Sequence, residues 1–264
     1  MAIKKMATML LLAPLLVPLL ASAAEDGIVT DRPDFVESSD VVGKGRFQIE
    51  TSVAAERDKA DGVREKTYST PTLLRYGVSD TVELRLETDG RMRAVTTDAA
   101  GQRTSDNGYA DVSLGVKWHI ADEEGARPSF GLLAHVDLDS GSAAFRAPGR
   151  GASLRAVAEW ELADEFSLGV MPGVAWLTND EGRRHATGIF AVVLGKGWTD
   201  QLRTFVEYSA QKIAHARDGG SISTFDVGAA YLLSKTVQID TALSRGLNDK
   251  APDWSWTVGL SMKF

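Results

Sequence analysis

The chain has 264 residues, 25% charged and 44% hydrophobic, with a mean hydropathy of −0.12 and a formal charge of −7. This balance excludes intrinsic disorder and a bundle of membrane helices, and its acidity argues against sequence-independent nucleic-acid binding. Zero cysteine excludes disulfides, thiolate metal sites and cysteine nucleophiles, whereas a membrane β-barrel stays open because its strands average to a soluble-looking composition.

Residues 1–23 read as a cleaved export signal. Lys4 and Lys5 precede an apolar run from Met6 to Leu20, and Ala21-Ser22-Ala23 is a small-x-small cleavage site. A transmembrane anchor fits less well. Pro14 and Pro18 interrupt the run, it is short for a span, and Glu25-Asp26 follows directly. Removal of this segment leaves 241 residues with a charge of −9. Residues 24–44 carry one proline, several acids and little periodicity. Two readings of them stand side by side, a disordered periplasmic leader and a plug folded into the barrel that follows.

From residue 45 to 264 one pattern recurs. Ala110, Val112, Leu114, Val116, Trp118 and Ile120 share one face, and Tyr109, Asp111, Ser113, Gly115, Lys117 and His119 share the other. This period of two is that of a strand long enough to cross a bilayer when tilted. The same template predicts twelve strands, at about 45–56, 66–77, 81–89, 108–120, 128–138, 151–162, 165–178, 186–198, 201–211, 222–233, 236–244 and 255–264. The eighth is the least clear, because Phe190 to Leu194 is apolar on both faces.

Connections after strands 2, 6, 8 and 10 are tight, and the one after strand 4 (Ala121 to Arg127) is modestly longer. That after strand 7, Asn179 to His185, is intermediate, and the others are long, the longest running from Asp89 to Asn107. Short turns at one end and long loops at the other give the topology of an all-β, transmembrane antiparallel outer-membrane β-barrel of about twelve strands. Its short turns and both termini are then periplasmic.

Aromatic side chains mark both ends. Tyr76, Trp118, Trp160, Trp198 and Tyr231 sit on the apolar face before short turns, and Tyr68, Trp176, Tyr208 and Trp256 lie near the long loops. Such girdles mark membrane interfaces, whereas a soluble β-protein would keep its tryptophans in a core. Phe264 ends an alternating strand and resembles the C-terminal signal read by barrel-assembly machinery.

Several blocks carry a family resemblance. They are Thr30-Asp31-Arg32-Pro33-Asp34 with Glu37-Ser38-Ser39, Gly43-Lys44-Gly45 and Gln48-Ile49-Glu50-Thr51; Leu74 to Asp80 with Val82-Glu83-Leu84-Arg85; Ala110 to Lys117; and Asp240, Ser244 to Asn248 and Pro252-Asp253-Trp254, closing on Phe264. Together they resemble a family of Gram-negative outer-membrane proteins assigned to transport or to the meta-pathway of phenol degradation. The resemblance implies an outer-membrane location and apolar or aromatic solutes.

Alternation sends charges to the lumen. The candidate selectivity residues are Arg75, Glu83, Arg85, Glu87, Asp111, Lys117, His135, Arg155, Glu159, Arg203, Glu207 and Asp240, and Arg75 is expected opposite Glu83 across the Ser79-Asp80 turn. They read as charged rings of a slightly cation-preferring pore, or as salt-bridged filler of a narrow barrel. Lumen-facing Gly115, Gly131, Gly169, Gly173, Gly228 and Gly259 are expected to leave room inside. None of the four histidines sits in a nucleophile motif, no His-Glu-x-x-His occurs, and no cofactor or metal is expected. The reading is therefore a passive channel or uptake porin for small molecules, whose other partners are outer-membrane lipids and the assembly machinery. The alternatives are an outer-membrane lipid hydrolase and a structural barrel with a filled lumen.

Overall fold

In a computed structural model, residues 27–264 are described, and the leader expected at 1–23 lies outside them. Fifteen strand segments follow one another: β1 (Phe47–Ala60), β2 (Val63–Ser69), β3 (Thr72–Gly77), β4 (Val82–Thr88), β5 (Arg91–Thr97), β6 (Arg103–Tyr109), β7 (Val112–Ala121), β8 (Ser129–Asp137), β9 (Gly151–Glu161), β10 (Phe166–Thr178), β11 (Arg184–Gly197), β12 (Leu202–Ile213), β13 (Ile222–Ser234), β14 (Val237–Gly246) and β15 (Trp254–Lys263). Twelve of them, all but β2, β5 and β6, form an antiparallel barrel that closes where β1 pairs with β15, from Gln48↔Lys263 to Arg57↔Trp254. Closure leaves none of the twelve barrel strands at an open edge, which is the condition for a sheet to cross a bilayer.

The expected second strand is broken in two. Pro71 has no N–H to give the ladder, and β1 pairs with β3 below it (Phe47↔Tyr76 to Thr51↔Thr72) and with β2 above it (Ala54↔Ser69 to Ala60↔Val63). The expected long loop from Asp89 to Asn107 is instead a hairpin. β5 pairs with β6, and β5 also pairs with β2. The first strand connection is likewise not a long loop but the two-residue turn Asp61-Gly62, both at positive φ (50° and 82°), joining two strands that extend past the barrel rim. These segments escaped the alternation template because neither of their faces is a continuous apolar stripe, as expected of a sheet that stands in water on both sides.

The barrel's outer face is apolar and uncovered. Val53, Leu84, Leu114, Val116, Leu154, Leu194, Val206, Val258 and their neighbours are exposed, with Leu114 at 48%. Tyr76, Trp118, Trp198 and Tyr231 are exposed near the short turns, and Tyr68, Trp176, Tyr208 and Trp256 near the other rim. So many exposed apolar side chains in a ring are stable only against lipid. The inner face is the opposite, with Gln48, Glu50, Arg75, Glu83, Lys117, Glu207 and Ser261 buried. At the seam, Phe264 stacks on Phe47 with ring centroids 6.4 Å apart, and the two residues exchange backbone hydrogen bonds of 2.8 and 3.2 Å.

Candidate functional site: a charged lumen and the segment lodged in it

The lumen is not an empty pore. Residues 27–46 enter from the short-turn end, where the Ile28 N–H donates to the Lys235 carbonyl, and return to it, where the Gly45 N–H donates to the Gly77 carbonyl. Between these points the segment bonds to walls all round the barrel, from Glu50 of β1 to Asp240 of β14, which places it inside.

One wall, made by β1, β3, β4 and β7, is ionic. Asp31 is its hub, with Arg85 Nη1 at 2.6 Å, Lys117 Nζ at 2.7 Å and Arg75 Nη1 at 3.4 Å. The Asp31 N–H donates to Glu50, and Asp31 accepts the Ser38 N–H. Arg75 also pairs with Glu50 at 3.0 Å and Glu83 at 2.8 Å, and Arg85 with Glu37, Glu83 and Glu87. Arg75 meets Glu83 as expected, but diagonally, since the residue directly opposite Arg75 is Arg85. His135 joins through Glu87 at 3.1 Å.

The other wall is apolar. Leu133, Val157, Met171, Ala191, Val193, Phe205 and Ala242 form a buried cluster with Val36 of the segment, and Phe35 packs against it. This explains why β11 is apolar on both faces: Phe190 and Leu194 face lipid, whereas Ala191 and Val193 face Val36. The backbone of the segment is satisfied there by carboxylates, because Glu207 accepts the N–H groups of Phe35 and Val36, both at 2.7 Å, and Glu159 accepts that of Ser39 at 2.5 Å. Arg203 grips Asp34 through two bonds of 2.9 and 3.1 Å, Arg155 meets Glu37 at 2.7 Å, and Asp240 meets Arg32 at 3.1 Å.

Thus the sequence-predicted lumen residues do converge, and all but Glu87, Asp111 and His135 bind the segment directly. Asp111 lies at the long-loop mouth, where it accepts the N–H groups of Gly141 and Ala147 and pins the β8–β9 loop. The residues that sequence reasoning missed are the segment's own: Asp31, Arg32, Asp34, Phe35, Val36 and Glu37. A signal was present in β11, which needed an apolar partner on its inner face. The room expected beside the lumen glycines is occupied. A Cβ on Gly131 would lie 3.0 Å from the Ser39 carbonyl oxygen, one on Gly169 would lie 3.0 Å from Val36 Cγ1, and one on Gly259 would lie 2.8 Å from Arg32 Nε.

Above the segment a cavity of about 840 Å³ opens toward the long loops. Its lining mixes Phe35, Leu73, Met92 and Phe145 with Arg85, Arg146, Arg155 and several carboxylates. One of these, Asp89, stands exposed at the cavity mouth between β4 and β5, where partial desolvation by the surrounding wall, followed by the nearby Glu87 carboxylate, raises its pKa above the usual value.

A closed twelve-stranded barrel with an apolar belt, aromatic girdles and a charged lumen has the architecture of outer-membrane channels. Residues 30–264 match the family described as "Putative MetA-pathway of phenol degradation", and the chain belongs to that family. Among solved structures, it is similar to an outer-membrane channel of Pseudomonas putida F1, at 13% identity with a TM-score of 0.59 over 92% of this chain and 100% of that one. It is also similar to the KdgM porin, at 10% identity with a TM-score of 0.51 over 82% of this chain and 99% of that one. No curated protein matches it.

Proposed function

We propose that the protein is an outer-membrane channel for small solutes and that residues 27–46 are its plug. The observation that carries this reading is the division of the lumen into an open vestibule at the long-loop end and an occluded half below it. The vestibule sets apolar side chains among four arginines and eight carboxylates, which suits small aromatic compounds bearing a polar or basic substituent. The family description supports the same class of solute. A solute enters from the loop end, rests on the plug, and passes when the plug moves toward the short-turn end, with no energy coupling. The charged residues then act by holding the plug as well as by lining the path.

Ser39 and Ser129 supply the test. Their Oγ atoms are 2.7 Å apart, one on the plug and one on β8, and the chain has no cysteine of its own. Ser39→Cys with Ser129→Cys allows a disulfide to tie the plug to the wall. Planar-bilayer recordings of the oxidised protein are expected to show few channel events, with conductance restored by reductant. Equal conductance in both states shows that the plug does not gate. A protein silent in both states supports the second reading, a structural barrel with a filled lumen, which the dense plug contacts favour.

A further inference from the structure

The sheet that rises past the barrel rim sorts its charges by face. On β1, Val53 and Ala55 point outward, so alternation also turns Arg57 and Lys59 outward. The register places Lys66 and Arg64 of β2 directly opposite them. The same face continues through Arg93, opposite Tyr68, to Arg91, opposite Tyr109, and to Arg103, opposite Thr97. The strand acids of this sheet, Glu56, Asp58, Glu65 and Asp106, all have the opposite parity and face inward.

Two further observations bear on what this face meets. The pairs Arg57↔Lys66 and Lys59↔Arg64 are like-charge cross-strand pairs, which repel when no anion lies between them. Among the described residues, none of these outward bases makes an ion pair or a side-chain hydrogen bond. Their height is also informative. Arg57 pairs with Trp254. From Phe264, at the opposite rim, to Trp254 is ten residues, which at about 3.4 Å per residue and a tilt of about 40° is roughly 26 Å, the height of the apolar belt. The bases therefore begin where the acyl chains end, beside exposed Tyr68, Tyr109, Trp254 and Trp256.

We propose that the outward face of the β1–β2–β5–β6 sheet binds the phosphorylated saccharide headgroup of the glycolipid that forms the outer leaflet. Phosphates at that level would sit between the like-charged pairs, which Arg and Lys grip through charge-assisted hydrogen bonds. The inward acids leave the vestibule side free of competition for the same anion.

The test uses the full folded chain in phosphatidylcholine nanodiscs, with fluorescent diphosphoryl lipid A as the probe. Binding is expected to weaken as salt is raised. It is expected to be at least about tenfold weaker in Arg57→Gln/Lys59→Gln/Arg64→Gln/Lys66→Gln. It is expected to be unchanged in Glu56→Gln/Asp58→Asn/Glu65→Gln, and weaker for monophosphoryl lipid A. Heat-modifiable gel migration reports that each variant is folded. If the fourfold variant does not fold, the single variants Arg64→Gln and Lys66→Gln are expected to lose affinity while folded. Equal binding by a folded basic-face variant overturns the proposal. So does indifference to the phosphate number, displacement by millimolar inorganic phosphate, or capture of a soluble acidic peptide in place of the lipid.

Discussion

Replacing Asp31 by Asn keeps the size of the side chain but removes the one negative charge shared by Arg75, Arg85 and Lys117. The three cations do not suffer equally. Arg75 keeps Glu50 and Glu83, and Arg85 keeps Glu37, Glu83 and Glu87. Lys117 is fully buried and, among the described residues, Asp31 is its ion-pair partner; it is left with the Ser38 carbonyl at 2.6 Å. Removing one partner of a buried pair costs about 3–5 kcal/mol, because the other charge stays desolvated and uncompensated. At 1.4 kcal/mol per decade this is a shift of roughly two to three and a half decades toward the undocked plug. The strand ladder that closes the barrel uses no atom of Asp31, so the variant should refold and migrate as a barrel. Single-channel recording is the assay, and Asp31→Asn is expected to spend far more time conducting than the parent. Adding Lys117→Met to it should restore much of the closed time, since the stranded charge is gone. If Asp31→Asn refolds and its open probability matches the parent's, the ionic hub does not hold the plug and the reasoning fails.

Three other outcomes are expected. Leu114→Arg, on the outer face of β7 about midway between exposed Tyr109 and Trp118, should lower stability in lipid vesicles by about 2–4 kcal/mol in urea titrations. A negligible change would mean that this face does not meet the acyl chains. Gly131→Val should leave the barrel folded but raise its conductance, because its side chain takes the space of Ser39, and unchanged conductance would contradict the tight fit of plug and wall. Asp89→Asn concerns pH. The folded chain raises this carboxyl above its usual 3.8, so the fold favours the protonated form, and that preference is full below pH 3.8 and lost as the pH rises through the raised value. Asn mimics the protonated acid, so the variant should be more stable than the parent at pH 7 and equal to it near pH 3, as read from urea midpoints. A destabilised variant at pH 7 would refute the direction.

What the sequence made legible follows from which surfaces are one-sided. The membrane strands have lipid on one side and polar lumen on the other, so Tyr109 to Ile120 spells its own orientation. Where that asymmetry ends, the pattern ends. The end of β1, the start of β2 and the β5–β6 hairpin have water on both sides, and they look like loops in the sequence although Asp61-Gly62 is a hairpin turn. β11 was ambiguous for the converse reason, since both of its faces meet apolar groups. The lumen residues were legible as inward-pointing charges, but their partners were not. The plug has no regular secondary structure through which periodicity could report its position, and its contacts span large separations, such as Arg32 to Asp240. Only the apolar inner face of β11 hinted that another part of the chain must fill the lumen.

The plug's contacts also bear on assembly. Its anchors come from β1, the first strand of the barrel, and from β14, the next to last, and β1 itself closes the cylinder against β15. A chain lacking its final strands would offer Arg32 no Asp240 and would leave the apolar cluster without Ala242. The full set of bonds is available only to a finished cylinder, and the entropy of joining such distant positions has by then already been spent on closing the sheet. The segment therefore acts as a completion latch: an unfinished barrel cannot hold it fully, and a finished one seals itself in the same event that makes it whole.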